Sequence, residues 1–191
     1  MKLLQERIIK DGKVFPGDVL KIDSFLNHQI DVGLMEEIGK EFYRLFADTR
    51  PTKVLTIEAS GIALAYATAK CFGSIPVIYA TKTDALNMDR ETYSCRSRSY
   101  TRDKIYEIKV SKEFLNKDDR VLILDDFLAN GEAMNSLISI CDDACAKIVG
   151  CGSVVSKTYQ TGEERIRSKG VHLEVLARVS KMEDGKIEFA D

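Results

Sequence analysis

The sequence predicts an α/β fold with a mostly parallel, twisted sheet and helices on both of its faces. The first observation is that short apolar runs alternate with longer amphipathic or alanine-rich segments, a pattern typical of parallel strands joined by helices. The second is that these runs are apolar with little alternation, as strands covered on both faces are. The runs are 53–58, 75–80, 121–124 and 148–155.

The composition is that of an ordinary globular protein, since 45% of the 191 residues are hydrophobic and 30% are charged. This length suits one domain spanning residues 1–191. A net charge of −2 gives no general attraction to nucleic acid or anionic membranes. No apolar run is long enough for a transmembrane helix, and the first residues lack the apolar core of a signal peptide. We therefore expect a cytoplasmic protein with no membrane and no nucleic-acid partner.

The first third of the chain predicts a small N-terminal unit and the start of the sheet. Residues 1–28 combine a short amphipathic stretch, two turns and a mixed segment that fits no long helix. Asp31 is the predicted N-cap of a helix whose apolar residues recur at helical spacing up to Leu45. The next elements are a strand at 53–58, a tight turn at 59–62, a helix at 63–72 with Gly73 as its C-cap, and a strand at 75–80.

Residues 82–104 show no periodicity and predict a long loop. A structureless loop of this length inside a compact domain is uncommon and often functional. An irregular hairpin is one alternative, and the interleaved basic and aromatic side chains leave binding of single-stranded nucleic acid open as another. These side chains are Lys82, Arg90, Arg96, Arg98, Arg102 and Lys104, with Tyr93 and Tyr100.

The second half predicts the rest of the sheet. After the apolar run 121–124, a helix begins near Glu132 and carries an apolar face as far as Cys145. We expect a core of about residues 30–180, with residues 1–28 and the segment after 156 forming a smaller cap. The other elements are strands at 106–110, 148–155, 171–179 and 186–189 and a short helix at 162–169.

The pattern of cysteines favours small buried side chains over a disulfide framework or a metal site. Their number is odd, which argues against a complete set of disulfides. Two of them lie four residues apart on the predicted helix, but neither histidine has ligand spacing to them. We predict no metal-ligating residue. The cysteines are Cys71, Cys95, Cys141, Cys145 and Cys151.

The most informative stretch begins with the apolar run 121–124 and extends into the next predicted helix. Two carboxylates, Asp125 and Asp126, come directly after the run, and a short loop then enters the helix near Glu132. A crevice beyond the carboxyl end of a parallel strand binds ligands, and the helix N-terminus attracts a phosphate. The carboxylates suit sugar hydroxyls or a Mg²⁺ ion beside that phosphate. A capped strand–helix joint without a ligand is the alternative.

This stretch resembles the motif with which type I phosphoribosyltransferases bind 5-phosphoribosyl 1-pyrophosphate (PRPP). That motif is an apolar strand, two acidic residues, two apolar residues and a small-residue loop, so Asp125, Asp126 and Gly131 match it. The usual threonines are replaced by Asn130 and Ala133. The Asn-Gly pair in this loop resembles the same loop of the subfamily that acts on xanthine. Residues 19–31 and 57–62 also resemble that subfamily. The resemblance implies the type I phosphoribosyltransferase fold, with a small cap, or hood, over the base site.

The resemblance also implies a set of site residues. Asp125 and Asp126 would be catalytic, Mg²⁺ would accompany the co-substrate PRPP, and residues 83–105 would close over the reaction centre. The family is typically homodimeric. The residues implied for PRPP are Ala129, Asn130, Gly131, Glu132 and Ala133; those for pyrophosphate are Ala59, Ser60, Gly61 and Lys82; those for xanthine are Leu20, Asn27 and Lys157.

The implied reaction is xanthine plus PRPP giving xanthosine 5′-monophosphate plus pyrophosphate. Xanthine has oxo groups at positions 2 and 6, and a lysine such as Lys157 has donors and no acceptor. It would favour an oxo group over the amine of guanine, although an ordinary surface lysine is the simpler interpretation. A guanine or hypoxanthine phosphoribosyltransferase remains open, as does a non-catalytic PRPP sensor that binds DNA or RNA.

Overall fold

The computed structural model describes residues 1–82, 91–99, 104–183 and 185–190, with only the backbone of 97–99 and 104–105. The helices are α1 (Lys2–Asp11), α2 (Val32–Phe46), α3 (Ser60–Cys71), α4 (Glu132–Asp143) and α5 (Gly162–Arg167). The strands are β1 (Lys13–Phe15), β2 (Val19–Lys21), β3 (Lys53–Ile57), β4 (Val77–Ala80), β5 (Thr92–Ser99), β6 (Lys104–Ser111), β7 (Arg120–Leu128), β8 (Lys147–Lys157), β9 (Leu173–Glu183) and β10 (Lys186–Phe189).

A six-stranded sheet with the order β10-β9-β8-β7-β3-β4 carries the fold. Its strands pair in parallel except for β10, which is antiparallel to β9. Along β7, Leu122 and Leu124 pack into the apolar cluster formed with α1, α2 and α3, whereas Val121 and Ile123 pack into the cluster formed with α4. Successive side chains of a strand face opposite sides. The sheet is therefore covered on both faces, and the predicted α/β class is confirmed.

The N-terminal residues form a hood next to the carboxyl ends of the strands. It consists of α1, the β1–β2 hairpin and a π-helical turn at Asp23–Asn27. Asp31 accepts a hydrogen bond from the backbone N–H of Leu34 and caps α2, as its position predicts. Phe25 is fully buried in the core beneath the Arg7 guanidinium.

The central strand does not end at Leu124, where the apolar run predicts its end. β7 continues to Leu128 because β8 runs to Lys157 and keeps pairing with it as far as Leu128 and Ser156. Asp125 and Asp126 therefore lie inside the strand rather than after it. The α4 helix begins at Glu132, as predicted, but ends at Asp143, so Cys145 lies beyond it and is exposed.

The long loop predicted for 82–104 is in part a regular hairpin. β5 and β6 pair antiparallel from Thr92 opposite Ser111 to Ser99 opposite Lys104, and Thr81 extends the pairing to Lys109. The predictions made for Arg90, Tyr100 and Arg102 fall outside the described residues. None of the helices in the described ranges combines the length and the apolar character that crossing a membrane requires.

Candidate active site

The carboxylates of Asp125 and Asp126 are the charged centre of the candidate site. Both are nearly buried, with 4% and 8% of their surface exposed. Burial raises the pKa of Asp125 well above its ordinary value, and the charge of Asp126 adds to this shift. The backbone N–H of Asp126 donates to Asp125 Oδ1 at 2.9 Å. Adjacent side chains on a strand point to opposite faces of the sheet, so the two carboxylates lie in different environments.

Asp125 lines a cavity of about 160 Å³. Residues 129–133, called the phosphate loop below, form one wall, and Tyr106 of the β5–β6 hairpin forms part of another. Gly131 has a φ of 75° and is the N-cap of α4, so the loop turns sharply into the helix. The first backbone N–H groups of an α-helix have no partner within it, and this helix N-terminus attracts an anion.

A second strand–helix joint lies beside the first, because β3 pairs with β7. It contains Ala59, Ser60 and Gly61, and its Glu58–Ala59 peptide bond is cis. Gly61 packs against the Thr56 side chain so closely that a Cβ atom there would lie 1.9 Å from Thr56 Oγ1. Only glycine fits this turn.

Lys82 lies next to this joint. Its backbone N–H donates to Glu58 Oε1 at 2.5 Å, and its Nζ lies 5.5 Å from the centroid of the Tyr106 ring. Tyr106 also lines the cavity beside Asp125. The structure thus brings Lys82, Glu58 and the phosphate-loop cavity to one edge of the sheet.

The residues predicted to contact a base lie between the hood and the sheet. Asn27, at the end of the π-helical turn, donates from Nδ2 to Asp126 Oδ2 at 3.0 Å. Lys157 is 7% exposed, donates to the backbone oxygen of Asp18, and has its Nζ 5.5 Å from the centroid of the Phe127 ring. Leu20 is buried in the hood. Lys157 is therefore not a surface lysine.

Burial lowers the pKa of the Lys157 ammonium, and the charge of Asp18 opposes that shift. The ammonium is held by a carbonyl oxygen and a ring face, which leaves it with few solvent contacts. A buried donor without a competing acceptor on the same side chain suits recognition of an oxo group.

Sequence reasoning missed Tyr106, Phe127 and Arg165 at this site. Tyr106 begins a predicted strand and Phe127 follows the two aspartates, and nothing local tells which side chains of such segments meet a cavity. Arg165 has the pattern of an ordinary charge on a short helix, yet its Nη1 lies 3.4 Å from Asn130 O and it forms an ion pair with Glu132. The roles of all the predicted site residues remain predictions.

In the described part of the chain, no cluster of three or more His, Cys, Asp or Glu side chains could hold a metal ion. The cysteines are all free, and Cys141 and Cys151 are buried among apolar side chains. Burial raises the pKa of the Cys141 thiol to about 12.

Comparison with known proteins gives a family and close relatives. Residues 22–180 match the family model described as phosphoribosyl transferase domain. A xanthine phosphoribosyltransferase of Clostridium novyi is 51% identical over 189 residues, which cover 99% of both chains. A xanthine phosphoribosyltransferase of Ruminiclostridium cellulolyticum is 48% identical over 191 residues and covers both chains completely.

Solved structures of more distant proteins share the fold. A Giardia lamblia adenine phosphoribosyltransferase in complex with 9-deazaadenine aligns with a TM-score of 0.77 and 23% identity, covering 93% of this chain and 98% of that one. An adenine phosphoribosyltransferase of Rhodothermus marinus aligns with a TM-score of 0.74 and 22% identity, covering 94% and 100%.

Proposed function

The chain belongs to the phosphoribosyl transferase domain family, and from this membership and its full-length relatives we propose its reaction. It transfers the 5-phosphoribosyl group of PRPP to xanthine, giving xanthosine 5′-monophosphate and pyrophosphate. The observation that carries the proposal is a buried carboxylate pair on β7, of which Asp125 lines a cavity of about 160 Å³ at the N-terminus of α4. The enzyme is a phosphoribosyltransferase that acts on xanthine.

The phosphate loop and the carboxylates bind the ribose 5-phosphate half of PRPP in this proposal. Backbone N–H groups of Ala129, Asn130, Gly131, Glu132 and Ala133 surround the 5′-phosphate at the start of α4. Asp125 and Asp126 accept hydrogen bonds from the ribose hydroxyls. Breaking the bond between C1 and pyrophosphate develops positive charge on the ribose, as in glycoside cleavage. Two nearby carboxylates stabilise that charge.

The leaving pyrophosphate lies at the second joint in this proposal. Ala59, Ser60 and Gly61 offer backbone donors at the start of α3, and Lys82 adds a positive charge. Glu58 accepts the backbone N–H of Lys82, which positions that lysine at the joint.

Mg²⁺ is the cation that we propose to accompany PRPP. Mg²⁺ prefers oxygen ligands and is commonly bound through one or two carboxylates together with substrate phosphates. The carboxylates of Asp125 and Asp126 are the protein groups that would face it. When bound, it would neutralise charge on the pyrophosphate oxygens.

The base pocket lies under the hood. Lys157 donates to an oxo group of xanthine, Asn27 donates from its amide, and Leu20 packs on the ring. The buried position of Lys157 supports this assignment, because a desolvated ammonium discriminates strongly between an acceptor and a donor. We further propose that residues 1–191 form a single phosphoribosyltransferase domain that acts in the cytoplasm as a homodimer, an assembly state that analytical ultracentrifugation tests.

The experiment is a measurement of pyrophosphate release with PRPP and Mg²⁺, comparing xanthine, guanine, hypoxanthine and adenine at equal concentrations. We expect the highest kcat/KM for xanthine. A higher value for guanine or hypoxanthine would discard the assignment of Lys157 while keeping the PRPP site. PRPP binding without release for any base would discard the reaction.

A further inference from the structure

The α5 helix lies directly against the phosphate loop. The backbone N–H of Gly162 donates to Ala129 O at 3.1 Å. A Cβ atom on Gly162 would lie 2.3 Å from the same oxygen, and one on Gly131 would lie 3.3 Å from Gly162 Cα. The two backbones therefore touch at a pair of glycines, and the position of the loop depends on α5.

One side chain of α5 reaches across this contact. The Arg165 guanidinium forms an ion pair with Glu132, the first residue of α4, and its Nη1 lies 3.4 Å from the backbone oxygen of Asn130. Both side chains are partly buried, with 37% and 27% of their surface exposed. A single cation thus contacts the loop through one carboxylate and one carbonyl oxygen.

The negative charge of the Glu132 carboxylate is expected to weaken phosphate binding in the loop. It belongs to the first turn of α4, where a negative side chain competes with an incoming anion for the positive end of the helix. A dianionic phosphate in the loop would also be repelled by it. Arg165 forms an ion pair with this carboxylate and so offsets its negative charge.

The neighbouring Arg167 does none of this. It forms an ion pair with Glu163 at 3.7 Å. Glu163 also accepts hydrogen bonds from Ser156 and Arg178, and so belongs to the attachment of α5 to β8 and β9. Arg167 therefore provides a matched control on the same helix with the same charge.

We propose that Arg165 is a positioning residue for the subsite that binds the 5′-phosphate of PRPP. This inference rests on the proposed function of the phosphate loop. Arg165 neutralises Glu132 and holds the Asn130 carbonyl, which keeps the N–H groups of the loop available to the phosphate. Residues after 156 thereby contribute to PRPP affinity as well as to base recognition.

Steady-state kinetics of Arg165→Gln test the proposal. We expect KM for PRPP to rise roughly tenfold while kcat and KM for xanthine change less than about twofold, because binding and not chemistry is affected. Arg165→Lys keeps the charge but loses the planar guanidinium, so its KM for PRPP should lie between those of the wild type and Arg165→Gln. Arg167→Gln should leave all three constants within about twofold of wild type.

A second substitution separates charge from packing. In the Arg165→Gln background, Glu132→Gln removes the unpaired carboxylate and should lower KM for PRPP again. The proposal is overturned if Arg165→Gln and Arg167→Gln affect KM for PRPP equally, or if the added Glu132→Gln raises it further. Absence of turnover by the wild-type enzyme would instead refute the proposed reaction, so the two failures are distinguishable.

Discussion

At the scale of single residues, Asp126 is the carboxylate whose neutralisation tests the proposed mechanism most directly. Asp126→Asn should preserve folding, because the new amide oxygen can still accept from Asn27 Nδ2, which now donates to Asp126 Oδ2 at 3.0 Å. It should lower kcat by about 100-fold or more, since a preorganised charge near the developing cation is lost. Circular dichroism melts and turnover with PRPP and xanthine measure the two effects. Turnover like that of wild type would remove the carboxylate pair from the mechanism.

The Asp125 carboxylate is expected to support activity and to lower the stability of the folded protein. Its pKa in the folded protein is raised by burial and by the neighbouring Asp126. The folded state therefore binds the proton more tightly than the unfolded state, and stability is lost as pH rises from the ordinary aspartate range through the raised pKa. We predict that the substrate-free protein melts at lower temperature as pH increases through that range.

Asp125→Asn should flatten this pH dependence and raise the melting temperature near neutral pH, while activity falls. Glu164→Gln, which removes one carboxylate from the exposed face of α5, is the control. An unchanged melting profile in Asp125→Asn would show that the buried carboxyl group carries no destabilising charge.

Lys157 is the residue on which the choice of base is expected to depend. Its ammonium is nearly buried against Asp18 O and the Phe127 ring. Lys157→Ala should raise KM for xanthine about tenfold or more but change KM for guanine much less, because a donor matched to an oxo group is lost. Parallel kinetics with the two bases decide this. Equal effects on both bases would assign Lys157 to packing of the hood.

At the scale of elements, the turn between β3 and α3 depends on close approach. Gly61→Ala would push a methyl group into Thr56 Oγ1, which donates to Leu124 O at 2.7 Å and so links β3 to β7. We predict a loss of about 1–3 kcal/mol in the free energy of unfolding, typical of overpacking. Urea denaturation measures it.

Gly33→Ala in the first turn of α2 is the matched control, because its Cβ would meet only Asp31 Oδ1 at 3.5 Å. That substitution should be neutral or stabilising, since alanine favours a helix over glycine. Equal stability of the two variants would mean that the turn opens without cost.

The elements show where sequence reasoning succeeds and where it stops. The helix cap at Asp31 and the start of α4 at Glu132 are predictable because the signals are local. The extension of β7 through its two aspartates is not, because it depends on how far β8 continues beside it. The prediction that residues 82–104 lack periodicity overlooked a short alternation in β5: Tyr93 and Cys95 face the core, whereas Ser94 and Arg96 are exposed.

At the scale of the whole molecule, the parallel α/β class is predictable from the alternation of apolar runs, but the strand order is not. Nothing in the sequence alone says that β7 lies between β3 and β8. The site residues predicted for PRPP come from one contiguous motif and from its resemblance to a family. Arg165 and Tyr106 reach the same loop and cavity from distant parts of the chain, and only the folded arrangement reveals them.

If Asn27 contacts xanthine and Asp126 contacts PRPP, as proposed, we expect the hydrogen bond between them to couple the binding of the two ligands. One partner lies in the hood and the other on the central strand, so a ligand that changes one of them changes the free energy of the other. Whatever factor PRPP exerts on the affinity for xanthine, xanthine must exert on the affinity for PRPP. Calorimetric titration of each ligand with and without the other, under non-turnover conditions, measures that factor. In Asn27→Ala this coupling factor should move toward one. An unchanged factor would mean that the coupling does not depend on this hydrogen bond.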